Sequence, residues 1–158
     1  MRTKRGRFAM VKIDDTVYAI GGCDGRRELS SVEALDVKSC DWHKMHSHMP
    51  TPRSCHGAAE LDGVVYAVGG THYSVPLKTV EALNPATGAW QSLTPMLTPR
   101  MDLAMAVCGR KVYAIGGQAS GLQCLSSVEC YDPAQKIWSP VASMKHPRRN
   151  AATVILDE

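Results

Sequence analysis

One short pattern recurs three times along the chain at a nearly constant spacing. Val-Tyr-Ala, an aliphatic residue and two glycines begin at Val17, Val65 and Val112, which are steps of 48 and 47 residues. A glutamate, a tryptophan and an arginine keep the same spacing. They are Glu33, Glu81 and Glu129; Trp42, Trp90 and Trp138; and Arg5, Arg53, Arg100 and Arg148. Several independent markers with one period indicate a fold built from one repeated supersecondary unit.

Each repeat is interpreted as four short strands. The first consists of small residues, such as Gly57-Ala58-Ala59, and the second is the Tyr-Ala run, which lacks polar alternation and therefore suits a strand covered on both faces. The third contains the glutamate and leads into a turn such as Asn84-Pro85, and the fourth begins at the tryptophan. Four antiparallel strands per repeat of about 40–50 residues are typical of a propeller blade.

Paired glycines end each second strand. They are Gly21 and Gly22, Gly69 and Gly70, and Gly116 and Gly117. Glycine is expected where a side chain would obstruct a close backbone approach or where φ is positive. The small residues of the first strand suit a crowded central axis, and the tryptophan suits the wide outer part of a wedge.

The period, the double glycine after a tyrosine-containing strand and the later tryptophan resemble the kelch repeat over essentially the whole chain. The order Pro-Arg, Tyr-Ala-Val-Gly-Gly, Ser-Val-Glu and Trp is similar to that of the kelch-like proteins, with departures at Val37, Thr79 and Asn84. We therefore predict an all-β kelch propeller fragment of three four-stranded antiparallel blades plus one extra inner strand. The repeats span approximately 1–48, 49–95 and 96–143, and a fourth begins within 144–158.

Three blades are too few to close a ring, because propellers close with about four to eight. We expect the chain to be part of a longer propeller. The alternative is a dimer of two arcs, which would leave one inner strand surplus on each chain. An open arc exposes the apolar faces of its end blades, so we predict marginal stability for the isolated chain.

The resemblance implies a binding face built from the loops between strands two and three and the loops that lead into strand one. These loops differ between the repeats, whereas the frame residues recur, and functional residues commonly lie on such loops. The predicted binding residues are Arg7, Cys23, Asp24, Arg26, Arg27, Cys55, His56, Thr71, His72, Tyr73, Asp102, Gln118, Ser120 and Asn150. The alternative for each is a solvated loop.

The arginines of the first repeat give this face a basic sector. Arg7, Arg26 and Arg27 suit an acidic or phosphorylated peptide, because guanidinium groups form bidentate hydrogen bonds with such groups. Tyr73 and His72 would add a flat contact surface. The arginines and glutamates that recur in every repeat are instead predicted to be structural ion-pair or hydrogen-bond partners.

Other classes of function are disfavoured. A net charge of +3 is weak for a nucleic-acid partner, and no run of 18 apolar residues indicates a membrane span. The six cysteines form no C-x-x-C pair and no signal peptide precedes them, so we expect reduced thiols in the cytoplasm or nucleus. His43, His46 and His48 lack a fourth ligand of defined spacing, so no metal is predicted. Catalytic motifs are absent from the sequence, and we expect neither a cofactor nor an enzyme.

The sequence thus predicts a binding platform for a protein or peptide. Kelch-like proteins often pair the propeller with BTB and BACK domains and deliver bound proteins to a cullin-based ubiquitin ligase. This resemblance implies a substrate-recognition role, with any cullin contact made through BTB and BACK domains that this chain does not contain. An actin-binding cytoskeletal protein and a signalling scaffold without a ligase link remain open.

Overall fold

Three four-stranded antiparallel sheets form the fold, as predicted. The computed structural model describes residues 1–154. Blade 1 contains β1 (Ala9–Ile13), β2 (Thr16–Ile20), β3 (Ser31–Asp36) and β4 (Asp41–His48). Blade 2 contains β5 (Gly57–Leu61), β6 (Val64–Val68), β9 (Val80–Asn84) and β10 (Ala89–Leu93). Blade 3 contains β11 (Ala104–Cys108), β12 (Lys111–Ile115), β13 (Val128–Asp132) and β14 (Ile137–Val141). The strands of each blade neighbour one another in chain order, so β1, β5 and β11 are the first strands.

The first strands pack against one another. β5 contacts both β1 and β11, which arranges the three blades as an arc around a common axis. Space there is restricted, because a Cβ added at Gly57 would lie 2.3 Å from the Cγ of Met105 on β11. A small residue is therefore required at this position of the first strand, which Ala9, Gly57 and Ala104 occupy in the three blades.

The blades stack face to face through two apolar clusters. Between blades 1 and 2 the buried members include Ile20, Val32, Met49, Val65 and Leu83, and between blades 2 and 3 they include Val68, Met96, Val112, Tyr131 and Trp138. The Trp138 indole Nε1 donates a hydrogen bond to the Thr94 carbonyl at 3.0 Å, which ties the outer strand of blade 3 to blade 2. Blade 2 has a neighbour on each face, and its second strand, β6, accordingly carries no polar alternation.

Two short elements within loops were not predicted. A two-residue hairpin, β7 (Thr71–His72) with β8 (Val75–Pro76), follows β6, and a 3₁₀ turn (Ser120–Leu122) follows β12. Both lie in the variable loops between the second and third strands of blades 2 and 3. These loops therefore have defined conformations.

The fourth strands and the chain end differ from the prediction in detail. Each fourth strand begins one residue before its tryptophan, and β4 runs for eight residues with a bulge in the pairing of β3, so all three histidines lie within it. The expected extra inner strand is not formed over 151–154, and 155–158 lie outside the described residues. In each of the three blades, the inner strand pairs with the second strand of its own blade.

Candidate protein-interaction face

A buried arginine joins blade 2 to blade 1. The backbone of Arg53 bonds to blade 1, where its N–H donates to the Leu29 carbonyl at 3.2 Å and its carbonyl accepts from the Gly22 N–H at 2.9 Å. The guanidinium bonds to blade 2, to the Gly69 carbonyl at 2.7 Å and the Glu81 carboxylate at 2.8 Å. A single residue thus joins two neighbouring blades.

The same arrangement recurs at the other blades. Arg100 pairs with Glu129 at 2.6 Å between blades 2 and 3, and Arg5 pairs with Glu33 at 2.9 Å in blade 1. Burial alone would raise the pKa of Glu33, but the N–H groups of Arg2 and Thr3 together with the Arg5 guanidinium lower it to about 2. The carboxylate therefore stays ionised inside the protein.

Arg148 occupies the equivalent position after blade 3 but differs in its side chain. Its carbonyl accepts from the Gly117 N–H at 2.8 Å, as in the other blades. The side chain is exposed and has no hydrogen-bond or ion-pair partner within residues 1–154. The side chains of Arg53 and Arg100 bond to acceptors in the blade that begins just after each arginine. The described residues after Arg148 form no such blade, and within 1–154 Arg148 has no buried ion pair.

The first glycine of each pair is required by this contact. Gly69 has φ +62°, and a Cβ there would lie 2.4 Å from the Arg100 carbonyl oxygen, a distance that no side chain permits. Gly21 and Gly116 make the same approach to Arg53 and Arg148. The glycine pairs therefore define where the arginine segment of the next blade docks.

Four residues are linked by backbone hydrogen bonds at the end of the axis where the variable loops lie. The N–H of Cys55 donates to the Arg7 carbonyl at 2.9 Å, that of Asp102 to Cys55 at 2.8 Å, and that of Asn150 to Asp102 at 2.8 Å. All four residues have φ between 52° and 54°, a left-handed conformation that is uncommon outside glycine. Their side chains differ, so one backbone arrangement presents four chemistries around the axis.

These residues line a central cavity of about 450 Å³ at this end of the arc. Its lining consists of Arg7, Cys55, Thr71, Ser74, Met101, Asp102, Gln118, Leu122, Arg149 and Asn150. Gln118 is fully buried and its Oε1 accepts a hydrogen bond from Arg149 Nη1. Within residues 1–154, Gln118 Nε2 and Thr71 Oγ1 have no partner. Both atoms are inaccessible to solvent, so the basic groups that the cavity offers to a ligand are the exposed side chains of its two arginines.

Blade 1 adds a second cavity next to the central one. It also measures about 450 Å³ and is lined by Arg7 with Cys23 and Asp24 of the β2–β3 loop. The backbone N–H groups of Arg26 and Arg27 donate to Asp24 at 2.9 and 3.0 Å and lower the pKa of its carboxyl. The bonds hold the turn, and both arginine side chains extend into solvent.

A third groove of about 370 Å³ lies between the loops of blades 1 and 2. Arg27, His72 and Tyr73 are among its lining residues. The rings of His72 and Tyr73 are 4.2 Å apart, and Tyr73 is 79% exposed. Arg27 thus lines one groove together with the two rings, whose planes are tilted by 46° to each other.

The structure brings most of the residues selected from the sequence to one end of the arc, and three of them, His56, Thr71 and Gln118, are buried there. His56 is buried between blades 1 and 2, where burial and the nearby Arg53 lower the pKa of its imidazole to about 3. It is neutral and lines a cavity of about 260 Å³ together with Cys55 and Asp102. Burial and Asp102 raise the pKa of the Cys55 thiol, which keeps it protonated in the cavity.

Sequence reasoning missed Arg149. This residue lies at the repeat position of Gly6, Ser54 and Met101, so the four repeats carry four different residue types there. The within-chain variation that selected the other loop residues would also have selected this position. Leu122 belongs to a loop, 118–122, that the sequence placed on the binding face, but the exposure of its side chain depends on the 3₁₀ turn and was not predicted.

Within 1–154, no group of three His, Cys, Asp or Glu side chains is arranged to hold a metal ion. The same part of the chain contains no helix long and apolar enough to cross a membrane.

Wedge-shaped four-stranded blades around one axis, joined by buried arginine–glutamate pairs, define a kelch-type propeller arc, a protein-interaction module. The chain belongs to the family described as the KLHDC2/KLHL20/DRC7 Kelch-repeats domain, whose model matches residues 2–158. A solved structure described as "Structure of YjhT" is similar with a TM-score of 0.80 at 18% sequence identity, and the match covers 92% of this chain and 54% of that one. This likeness concerns the fold, and this chain spans about half the length of that structure. Comparison with curated proteins found no match.

Proposed function

We propose that this chain is the substrate-recognition propeller of a cullin-RING ubiquitin ligase adaptor and that its central cavity binds an acidic peptide. The observation that carries the proposal is the presence of two exposed arginines, Arg7 and Arg149, in the lining of one cavity. Guanidinium groups bind carboxylates through charge-assisted, often bidentate, hydrogen bonds.

The central cavity has more basic than acidic side chains in its lining. Asp102 is the acidic residue of the central cavity lining, and the arginines outnumber it. Arg26 and Arg27 extend the basic sector over blade 1. A peptide that carries Asp or Glu therefore complements the face better than a basic one, and the favourable field would also speed its association.

The ligase part rests on the family. Kelch-like proteins commonly combine this propeller with BTB and BACK domains, which make the contact with the cullin, while the propeller holds the protein to be ubiquitylated. A shared fold does not by itself fix a function, so this step requires its own test. Such an adaptor would act in the cytoplasm or the nucleus.

Charge reversal in the central cavity tests peptide binding. In the complete protein, Arg7→Glu with Arg149→Glu should reduce the capture of partner proteins by about tenfold or more, since each charge-assisted hydrogen bond contributes roughly 1.5–3 kcal/mol. Arg110→Glu is the matched control, because Arg110 is exposed in the β11–β12 turn at the opposite end of blade 3. Quantitative mass spectrometry measures the captured partners of the unmodified protein, the double variant and the control. Equal sets of partners for all three would reject the site.

Co-purification tests the ligase role separately. The complete protein should retain a cullin, and the proteins lost on charge reversal should accumulate when the proteasome is inhibited. Capture of actin without a cullin would favour a cytoskeletal kelch protein. Capture of neither would favour a signalling scaffold, and both of these results would refute the adaptor role.

A further inference from the structure

An apolar groove adjoins the central cavity between blades 2 and 3. It measures about 270 Å³, and its lining includes Val75, Pro76, Met101 and Leu122. Ser74, Met101, Gln118 and Leu122 line both this groove and the central cavity. The two spaces are therefore contiguous, and one short peptide segment can occupy both.

The apolar side chains of this groove are unusually exposed. Leu122 is 79% exposed and Val75 is 59% exposed, while each lies in a loop whose backbone is ordered by local structure. Leu122 follows Gly121 with both residues at positive φ, and Val75 follows Tyr73 and Ser74 with positive φ as well. Two separate blades thus turn a large apolar side chain towards water at the same place, and clustered exposure of this kind marks an interaction site.

We propose that the ligand is an amphipathic peptide segment. An acidic side chain enters the central cavity beside Arg149, and an apolar side chain close to it in sequence enters the groove between Val75 and Leu122. This inference rests on the acidic-peptide function proposed above and specifies its second determinant. The charge of the cavity selects the acidic residue, and the shared wall of the two spaces requires the apolar residue to be nearby in sequence.

Selection from a library of random peptides displayed on phage tests the pairing. Peptides retained by the complete protein should be enriched in Asp or Glu and in Leu, Ile, Val, Met or Phe at a fixed, short offset. Leu122→Ser combined with Val75→Ser should remove the apolar preference and keep the acidic one. Arg7→Gln with Arg149→Gln should do the reverse. Both serine substitutions are at exposed positions, so the fold should tolerate them.

A matched control and a direct affinity measurement complete the test. Val37→Ser changes an exposed valine in the β3–β4 turn, at the opposite end of blade 1, and should leave the selected peptides unchanged. For one selected peptide labelled with fluorescein, anisotropy should show about tenfold weaker binding to the Leu122→Ser variant than to the Val37→Ser variant, which is the order expected for partly burying one leucine.

The possible failures are distinguishable. Acidic enrichment without an apolar residue at a fixed offset would overturn the amphipathic ligand and leave the acidic-peptide function standing. An apolar preference that survives Leu122→Ser with Val75→Ser would overturn the groove as its source. Absence of any acidic enrichment would overturn both this inference and the function on which it depends.

Discussion

Removing the guanidinium of Arg100 should weaken the contact between blades 2 and 3 severely. Its side chain is fully buried and donates to the carbonyls of Gly116 at 2.8 Å and Ser127 at 3.0 Å and to Glu129 at 2.6 Å. Arg100→Met would leave both carbonyls without this donor. The Glu129 carboxylate would keep the N–H groups of Leu97 and Thr98 but lose its cation.

The expected cost follows from burial. Breaking a buried ion pair by removing one partner costs about 3–5 kcal/mol, because an uncompensated charge stays inside the protein. The pair between Arg110 and Asp62 has a similar length of 2.8 Å, but its side chains are 81% and 56% exposed. Exposed pairs contribute about 0–1 kcal/mol, so Arg110→Met is the matched control.

Urea unfolding followed by the fluorescence of the three tryptophans measures the difference. Arg100→Met should lose about 3 kcal/mol or more relative to Arg110→Met, and an Arg100→Met chain already unfolded in water agrees with the same reasoning. The double variant Arg100→Met with Glu129→Met should lose less than the sum of the two single variants, because no charge remains buried. Equal stability of Arg100→Met and Arg110→Met would refute the role given to the ion pair.

Three further changes test the packing between neighbouring blades. Gly69→Ala should destabilise by several kcal/mol in the same urea assay, whereas Gly63→Ala, with φ +76° but nothing within 4 Å, should cost only about 1 kcal/mol of backbone strain. The pKa of His56 is about 3 in the folded state against 6.5 ordinarily, so the unfolded state binds a proton first as the pH falls. The free energy of unfolding should therefore decrease by about 2 kcal/mol from pH 6.5 to pH 5, and His56→Leu should remove this dependence on pH. Trp138→Phe loses the hydrogen bond to Thr94 and should cost about 1 kcal/mol or more by thermal melting; an unchanged melting temperature would contradict its bridging role.

The residues that recur in every blade were predictable because each blade has to meet the same packing requirements. The inner strand needs a small side chain where it lies closest to the axis. The glycines leave space for the backbone of the next arginine segment, and the glutamate forms an ion pair with a buried guanidinium. Each requirement left the same residue type at the same spacing. The partner of each arginine was not readable from spacing, because Arg53 bonds to two blades at once.

The binding end was predictable only in outline. Variation among the loops located the face, but His56 varies for a different reason, since it is buried against the blade interface. The exposure of Leu122 and the shared wall of the two cavities depend on tertiary placement of the 3₁₀ turn and of Ser74. Local sequence carries no signal for such a juxtaposition.

Site-specific photo-crosslinking in cells tests the recognition surface most directly. A photoreactive phenylalanine analogue at exposed Ser120, on the loop end of blade 3, is compared with the same analogue at exposed Lys38, in the β3–β4 turn at the opposite end of blade 1. Adducts with partner proteins that form from position 120, and that Arg149→Glu abolishes, are the predicted result. Adducts that form mainly from position 38, or that survive loss of Arg149, would contradict recognition through the central cavity.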